Sequence, residues 1–524
     1  MKRIDSAIGR LPLFGAAATR RIEAQISAAL PPYTLMRRAG EAVARLAVAL
    51  APHARRYWVA CGPGNNGGDG LEAATCLRRS GKDVGLVLHG DPGALPSDAA
   101  DAWERARAAG VVMGGTSAVL RRGDLAIDAL LGIGARRAPE GPIAETIRAL
   151  NGLDCGVLAV DVPSGLDADT GQPLGADCIR AHHTLTLLTL KPGLFTAAGR
   201  DHAGDVWFEA LGRGTDTAAG SDPDVDAGDP APDAELVGSG TAVARHTLRR
   251  HATHKGSFGD VAVVGGAAGM FGAALLAAHA AHAAGAGRVV VVPLAESAHA
   301  LLHDPARAEL MFRRDWCNAS PAVLAATTVV CGCGGGDAVA AVLPRLLSLA
   351  GRLVLDADAL NVIAADPALQ TTLRARAARG AATVLTPHPL EAARLLGGTA
   401  REVQADRLEA VRTLAARFAC VVVLKGSGSL IAAPGRRVVV NATGNAALAG
   451  PGTGDVLAGW LGGRWAQHAP ANDAALQEQI AFDCAQGAVI DHGAAAEPSR
   501  PGPLRAADLI EAMHRRLRAL PGPP

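Results

Sequence analysis

Short, continuous apolar runs recur through this chain, and each ends in Gly, Asp, Pro, Lys or a similar loop residue. The first set is residues 57–60, 84–88, 125–127, 157–160 and 184–190. The second set is residues 261–264, 288–292, 328–330, 353–355, 383–385 and 421–424. Segments of helical spacing, such as 70–79 and 143–151, lie between them, and helical stretches at 16–29 and 35–51 precede the first run. Strands that are apolar on both faces and alternate with helices specify parallel sheets covered on both sides. In such sheets ligands bind beyond the carboxyl ends of the strands. The residues just after each run are therefore the functional candidates.

Residues 212–235, GRGTDTAAGSDPDVDAGDPAPDAE, break this alternation. They are acidic, rich in Gly, Pro, Asp and Ala, and have no apolar period, which is linker composition. The expected organisation is a domain over residues 1–211, a linker over 212–235 and a domain over 236–524, each α/β. No short-period repeat relates the halves.

Composition excludes several classes. Hydrophobic residues at 49% with charged residues at 19% indicate a globular chain. A net charge of +1 and 3% aromatics give no basis for nucleic-acid binding. No apolar run reaches the roughly 20 residues that span a bilayer, and residues 1–30 hold no continuous apolar signal segment. Nine scattered cysteines fit a reducing cytoplasm. Of 51 basic residues only Lys2, Lys82, Lys191, Lys255 and Lys425 are lysines. A solvated surface accepts either cation but a point-charge site does not, so these five are marked positions.

In the first half, run 57–60 leads into Cys61-Gly62-Pro63-Gly64-Asn65-Asn66-Gly67-Gly68-Asp69-Gly70 and then a helix. Such a loop presents backbone N–H groups at a helix start, which is an anion site. It fits neither GxGxxG nor a Walker A loop. Asp128 and Asp161 follow two further runs, and with Asn66 they offer oxygen ligands suited to a hard cation. Asp161 is also placed to act as a general acid/base, while Asp167 and Asp169 read as turn residues.

GPGNNGGDG, DALLGIG, VDVPSGLDADTG and TLTLLTLKPGL, with Leu35-Met36-Arg37-Arg38-Ala39-Gly40 before them, resemble the NAD(P)H-hydrate epimerase family over residues 10–210. The resemblance implies a Rossmann-like three-layer αβα fold and inversion at the hydrated carbon of a damaged nicotinamide ring. It implies that Asn65, Asn66, Gly67, Gly68 and Asp69 hold the substrate. Gly132, Ile133, Gly134, Ala135, Arg136, Arg137, Ala138 and Asp161 would complete the pocket, with Asp161 as acid/base. Asn66, Asp128 and Ser164 would bind potassium. Lys191 falls in the family's Lys-x-Gly-Leu position, near phosphate or as a snorkelling surface lysine.

In the second half, Asn441-Ala442-Thr443-Gly444-Asn445 precedes Gly450-Pro451-Gly452-Thr453-Gly454-Asp455. A Gly-Thr-Gly-Asp turn opening a helix sets N–H groups beside a carboxylate, which suits phosphoryl transfer to a hydroxyl. Lys425-Gly426-Ser427-Gly428-Ser429 after run 421–424 has the composition to wrap nucleotide phosphates. His388 stands between two prolines after run 383–385. Asp356 and Asp358 rank lower, and Cys331 with Cys333 falls short of a zinc pattern.

These motifs, with His254-Lys255-Gly256 and Gly269-Met270-Phe271-Gly272-Ala273, resemble the ADP/ATP-dependent NAD(P)H-hydrate dehydratase family over about residues 236–515. The resemblance implies a ribokinase-like αβα fold. Ala273, Gly334 and His388 would contact the hydrate, Lys425, Gly426, Ser427, Gly428, Ser429 and Gly454 the adenine nucleotide, and Asp455 the hydrate as base. Gly332-Cys333-Gly334-Gly335-Gly336 departs from the family's Gly-Pro-Gly-Leu-Gly. Together the halves imply repair of hydrated NADH and NADPH (NADHX and NADPHX), with K+ in the first half and Mg2+ with ADP or ATP in the second. A cytoplasmic homo-oligomer is expected. The competing readings are a ribokinase-type kinase of a small alcohol and a non-catalytic nucleotide-binding sensor. Among the lysines the motifs rank Lys425 first, Lys255 second and Lys191 third.

Overall fold

In the computed structural model, residues 1–114, 120–213, 230–241, 249–294, 303–471, 473–498 and 502–519 are described. The chain divides into two compact units, one of Met1–Asp5 with Arg10–Leu236 and one of Ser6–Gly9 with Val237–Pro524. Most of the expected linker lies outside the described residues. Its last two residues begin the strand Ala234–Val237, because Ala234, Leu236 and Val237 are buried apolar positions.

The sheet of the first unit has the order Lys2–Ile4, Asp205–Glu209, His183–Leu187, Gly156–Val160, Leu125–Ala129, Tyr57–Cys61, Val84–Leu88, Val112–Met113. All neighbours are parallel except Lys2–Ile4 against Asp205–Glu209. Strand alternation explains the continuous apolar runs. Tyr57, Val59 and Cys61 pack into one core with helices Ala16–Ala29, Thr34–Leu50 and Asn65–Arg79. Trp58 and Ala60 pack into another with helix Gly141–Asn151. The order reverses between Tyr57–Cys61 and Leu125–Ala129, which opens a crevice at their carboxyl ends.

Nine strands of the second unit run Met311–Phe312, Arg288–Pro293, Asp260–Gly265, Thr328–Cys331, Arg352–Leu355, Ala382–Leu385, Val421–Leu424, Leu430–Ala432, Val438–Asn441. The first seven are parallel and the last two antiparallel. Helices Phe271–Ala283, Thr453–Ala466, Ala474–Ala496 and Ala506–Ala519 share one core with the sheet. Helices Pro367–Ala378 and Arg407–Phe418 lie against its strands as well. Here the reversal falls between Asp260–Gly265 and Thr328–Cys331. The units are the expected Rossmann-like and ribokinase-like αβα layers. Among the described residues no helix is long and apolar enough to cross a membrane.

Candidate active sites

The first crevice is a cavity of about 840 Å³ in the first unit. Only Gly62, Pro63 and Gly64 separate strand Tyr57–Cys61 from helix Asn65–Arg79. The Asn-Asn-Gly-Gly-Asp stretch, expected as loop, thus forms the first turns of the helix. The reason is packing. A Cβ on Gly62 would sit 1.8 Å from the Leu130 carbonyl oxygen, and one on Gly67 2.0 Å from that of Gly62. Asn65, Asn66 and Asp69 line the cavity, as do Gly132 to Ala138, Asp161 and Lys191. Gly67 and Gly68 are buried beneath, Gly68 against the Met36 thioether.

Asp161 follows strand Gly156–Val160 with φ 67°, a left-handed conformation uncommon outside glycine that Asp tolerates better than most residues. Its N–H donates to the Leu185 carbonyl at 2.8 Å, and Leu187 N–H donates to its carboxylate at 3.2 Å. Its Oδ1 is ion-paired with Lys191 Nζ. Lys191 is fully buried and also donates to the Leu187 carbonyl at 2.7 Å and Thr186 Oγ1 at 3.1 Å. Neither a surface position nor third rank among the lysines fits this. The expected strand 184–190 stops at Leu187, and the chain turns at Leu188 with φ 66°, which brings Lys191 back to Asp161.

Asp128 lies within strand Leu125–Ala129, one residue before its end. Ser164 donates to it twice, through N–H at 2.9 Å and Oγ at 2.6 Å. Burial pushes the Asp128 carboxyl up to about 6 against those hydrogen bonds. Asn66 adjoins Gly132, and its Nδ2 is buried with no hydrogen-bond partner. Asp167 accepts from the N–H groups of Asp169 and Thr170, and Asp169 caps Ala16, so both serve turns and caps.

Two further carboxyls face this cavity. Burial, then the charge of Asp161, raises Glu23, and the same causes raise Asp69 well above the carboxylate range. Asp69 stands in the glycine motif. Glu23 sits in helix Ala16–Ala29, where nothing in the sequence distinguishes it from a solvated helix residue except its one-turn spacing from Thr19.

In the second unit, helix Thr453–Ala466 starts from Gly452, whose φ of 84° only glycine adopts freely, and places Asp455 in its first turn. The Asp455 and Asp356 carboxylates and the Cys333 sulfur lie within 4.8 Å of one another. Lys425 Nζ is 2.6 Å from Asp356 and 4.0 Å from Glu391. Burial alone would depress Lys425. Asp356 and Glu391 outweigh it and hold the ammonium above its usual value. Burial and the Asp356 charge lift Asp455 to about 6, and burial lifts Glu391 to about 7.

His388 caps helix Pro389–Leu396: its Nδ1 accepts from the N–H groups of Leu390 and Glu391, and Glu391 accepts from His388 N–H at 2.8 Å. Burial, then Lys425, keeps the imidazole below its usual value. A Cβ on Gly454 would lie 3.4 Å from Lys425 Nζ. Gly334, with φ 57°, lies against Ala273, whose Cβ would be 2.9 Å from a new Cβ there. Gly426 and Gly428 both have positive φ, and the Ser429 hydroxyl donates to the Gly426 carbonyl at 3.1 Å. The buried Arg407 donates to the carbonyls of Leu424 and Lys425, which fixes the start of that loop.

The structure brings together Lys425, Gly454, Asp455 and His388. It adds Asp356, ranked low in sequence, and Glu391. It removes Lys255, which is exposed beside the amino end of strand Asp260–Gly265. The adjoining Gly259 packs on the Ala466 carbonyl, at the opposite end of the helix that carries Asp455.

Two αβα units with lysine–carboxylate centres beyond the carboxyl ends of their parallel strands, one beside a Gly-Thr-Gly-Asp helix start, define a two-centre α/β enzyme. A family model described as YjeF-related protein N-terminus matches residues 32–193, and one described as NAD(P)H-hydrate dehydratase matches residues 261–500. The bifunctional NAD(P)H-hydrate repair enzyme Nnr of Escherichia coli K12 is 36% identical over 479 residues, covering 89% of this chain and 85% of that protein. That of Vibrio cholerae is 37% identical over 460 residues, covering 84% and 86%. Among solved structures, the Bacillus subtilis ADP/ATP-dependent NAD(P)H-hydrate dehydratase co-crystallised with ATP/Mg2+ is 27% identical, with a TM-score of 0.41 over 52% of this chain and 94% of that one. The chain belongs to the family of bifunctional NAD(P)H-hydrate repair enzymes.

Proposed function

We propose that residues 1–211 interconvert the two configurations of hydrated NADH and NADPH, and that residues 236–524 dehydrate the S form with ADP or ATP. The carrying observation is the Asp455 carboxylate in a glycine-opened helix start, facing the Lys425–Asp356 pair. There the hydroxyl of the hydrate attacks the terminal phosphoryl group and gives its proton to Asp455. The N–H groups at Gly454 take up charge on the transferred phosphoryl, and Lys425 offers a point charge to nucleotide phosphates through Gly426, Ser427, Gly428 and Ser429. Ala273, Gly334 and the neutral His388 hold the ring. Loss of phosphate from the carbon, with loss of a proton from its neighbour, restores the dihydronicotinamide.

In the first unit Asp161 is the acid/base. Asn65 to Asp69 and Gly132 to Ala138 hold the substrate, and Lys191 keeps Asp161 ion-paired. The Asp128 carboxylate and the Ser164 hydroxyl, with the Asn66 amide oxygen, would form an oxygen donor set that fits potassium, which would steady the helix start around the bound phosphates. The Asp356 carboxylate fits Mg2+, which would neutralise phosphate charge. Nine free cysteines accord with work in the cytoplasm, where a homo-oligomer would act. Purified protein given hydrated NADH, Mg2+ and ADP or ATP should restore the absorbance of reduced nicotinamide; no return refutes the dehydratase reading.

A further inference from the structure

We propose that Glu23 is a second catalytic acid/base of the epimerase centre, serving the ring face opposite Asp161. This rests on the epimerase reading above. Thr19, Glu23 and Ser27, spaced one turn apart on helix Ala16–Ala29, line the same cavity as Asp161. The helix is tied over the loop that carries Lys191. Phe14 N–H donates to the Leu190 carbonyl at 2.8 Å, and the Thr19 and Thr189 hydroxyls are 2.7 Å apart. Asp161 therefore rises from the strand ends, and Glu23 reaches the cavity from a helical wall. Lys191 and Leu187 engage the Asp161 carboxylate. Glu23 has no hydrogen bond or ion pair of its own among the described residues, and it is free to meet a ligand.

Inversion at the hydrated carbon needs both faces served. The Glu23 acid gives its proton to the hydroxyl, and the C–O bond breaks with its electron pair leaving as water. The ring nitrogen lone pair forms C=N, which leaves the carbon planar. On the other face a solvent water forms the new C–O bond and gives a proton to the Asp161 carboxylate, and the C=N pair returns to nitrogen. One water leaves, one enters, and solvent carries the proton from Asp161 back to Glu23. In the reverse direction the two residues exchange roles. The groups facing Glu23 are Asp161 and Lys191 from the strand ends, Asp98 from helix Ser97–Ala108, Asp69 from helix Asn65–Arg79 and Arg20 on its own helix. Carboxylates outnumber cations there, which favours the protonated acid.

The test uses full-length protein and one pure hydrate epimer in H2(18)O, without ADP or ATP. Wild type should incorporate one solvent oxygen per inversion, and its rate should fall on the alkaline side as Glu23 loses its proton. Glu23→Gln should lower kcat for inversion about 100-fold or more, leave KM little changed and erase the alkaline limb. Wild-type circular dichroism and a wild-type thermal melt of both units certify its fold. Should Glu23→Gln not fold, Glu23→Asp should retain the limb with a reduced kcat. Wild-type kcat in Glu23→Gln, an effect on KM alone, loss of the limb in Asp69→Asn instead, or inversion without solvent oxygen overturns the proposal. A wild type that inverts neither epimer refutes the epimerase reading itself.

Discussion

Lys191 and Lys425 occupy positions that suit lysine better than arginine. Each is a point charge among close acceptors, Lys191 reaching Asp161, Thr186 and Leu187 while fully buried, and Lys425 reaching Asp356 and Glu391. Lys191→Arg should overpack this site, lowering stability by about 1–3 kcal/mol and epimerisation by about 100-fold. Thermal melts and an epimer-interconversion assay read the two effects. Asp455 carries a pH prediction. Burial raises its carboxyl to about 6, and only the deprotonated form takes the hydroxyl proton. Dehydration should therefore fade as pH falls through about 6, and Asp455→Asn should abolish it across the range. At this scale the positions of Asp161 and Lys425 were legible because each directly follows an apolar run, and that of Asp455 because it closes a Gly-Thr-Gly-Asp turn. Glu23 was not, since an acid on an amphipathic helix looks like solvated surface. Asp356 was underrated because its partner lies 69 residues away.

The elements show how much glycine serves packing. On helix Thr453–Ala466, a Cβ on Gly459 would lie 2.0 Å from the Ala277 carbonyl oxygen, and one on Gly463 2.3 Å from that of Ala281. This helix and Phe271–Ala283 thus meet backbone to backbone. Gly459→Ala should cost about 1–3 kcal/mol in thermal or denaturant unfolding. Gly272→Ala, with nothing within 4 Å, should be neutral or gain up to about 1 kcal/mol from helix propensity. Central strands were readable from apolar runs alone, usually to within two residues. Lys2–Ile4, Val112–Met113, Asp205–Glu209, Leu430–Ala432 and Val438–Asn441 leave no such signal, since strands of two to five residues carry little periodicity. The Asn-Asn-Gly-Gly-Asp helix start reads as loop because its glycines are unfavourable in a helix; they are required there by the Gly62 carbonyl against Gly67 and the Met36 side chain against Gly68.

For the whole molecule, two centres in one chain act in series on one pool of substrate. Given both epimers with ADP or ATP, wild type should return all of the hydrate to reduced cofactor. Asp161→Asn should stall once the S form is consumed, and Asp455→Asn should restore none while still interconverting the epimers. Chiral separation of the residual hydrate distinguishes these outcomes, and a mutant that consumes both epimers equally fast would remove Asp161 from its role. The division into two units was legible from composition. That Ser6–Gly9 groups with the second unit was not, since contacts so far apart in sequence leave no local pattern.

The placement of the five lysines has a practical consequence. Lys2 and Lys255 are exposed and Lys82 is half-buried, all away from the two centres. Lys191 is sealed in, and Lys425 is largely covered and held as an ammonium by its carboxylates. Acylating reagents need an accessible, deprotonated amine. Coupling this enzyme to an amine-reactive support should therefore anchor it through Lys2, Lys82, Lys255 or the chain terminus, leaving both catalytic chambers open to solution.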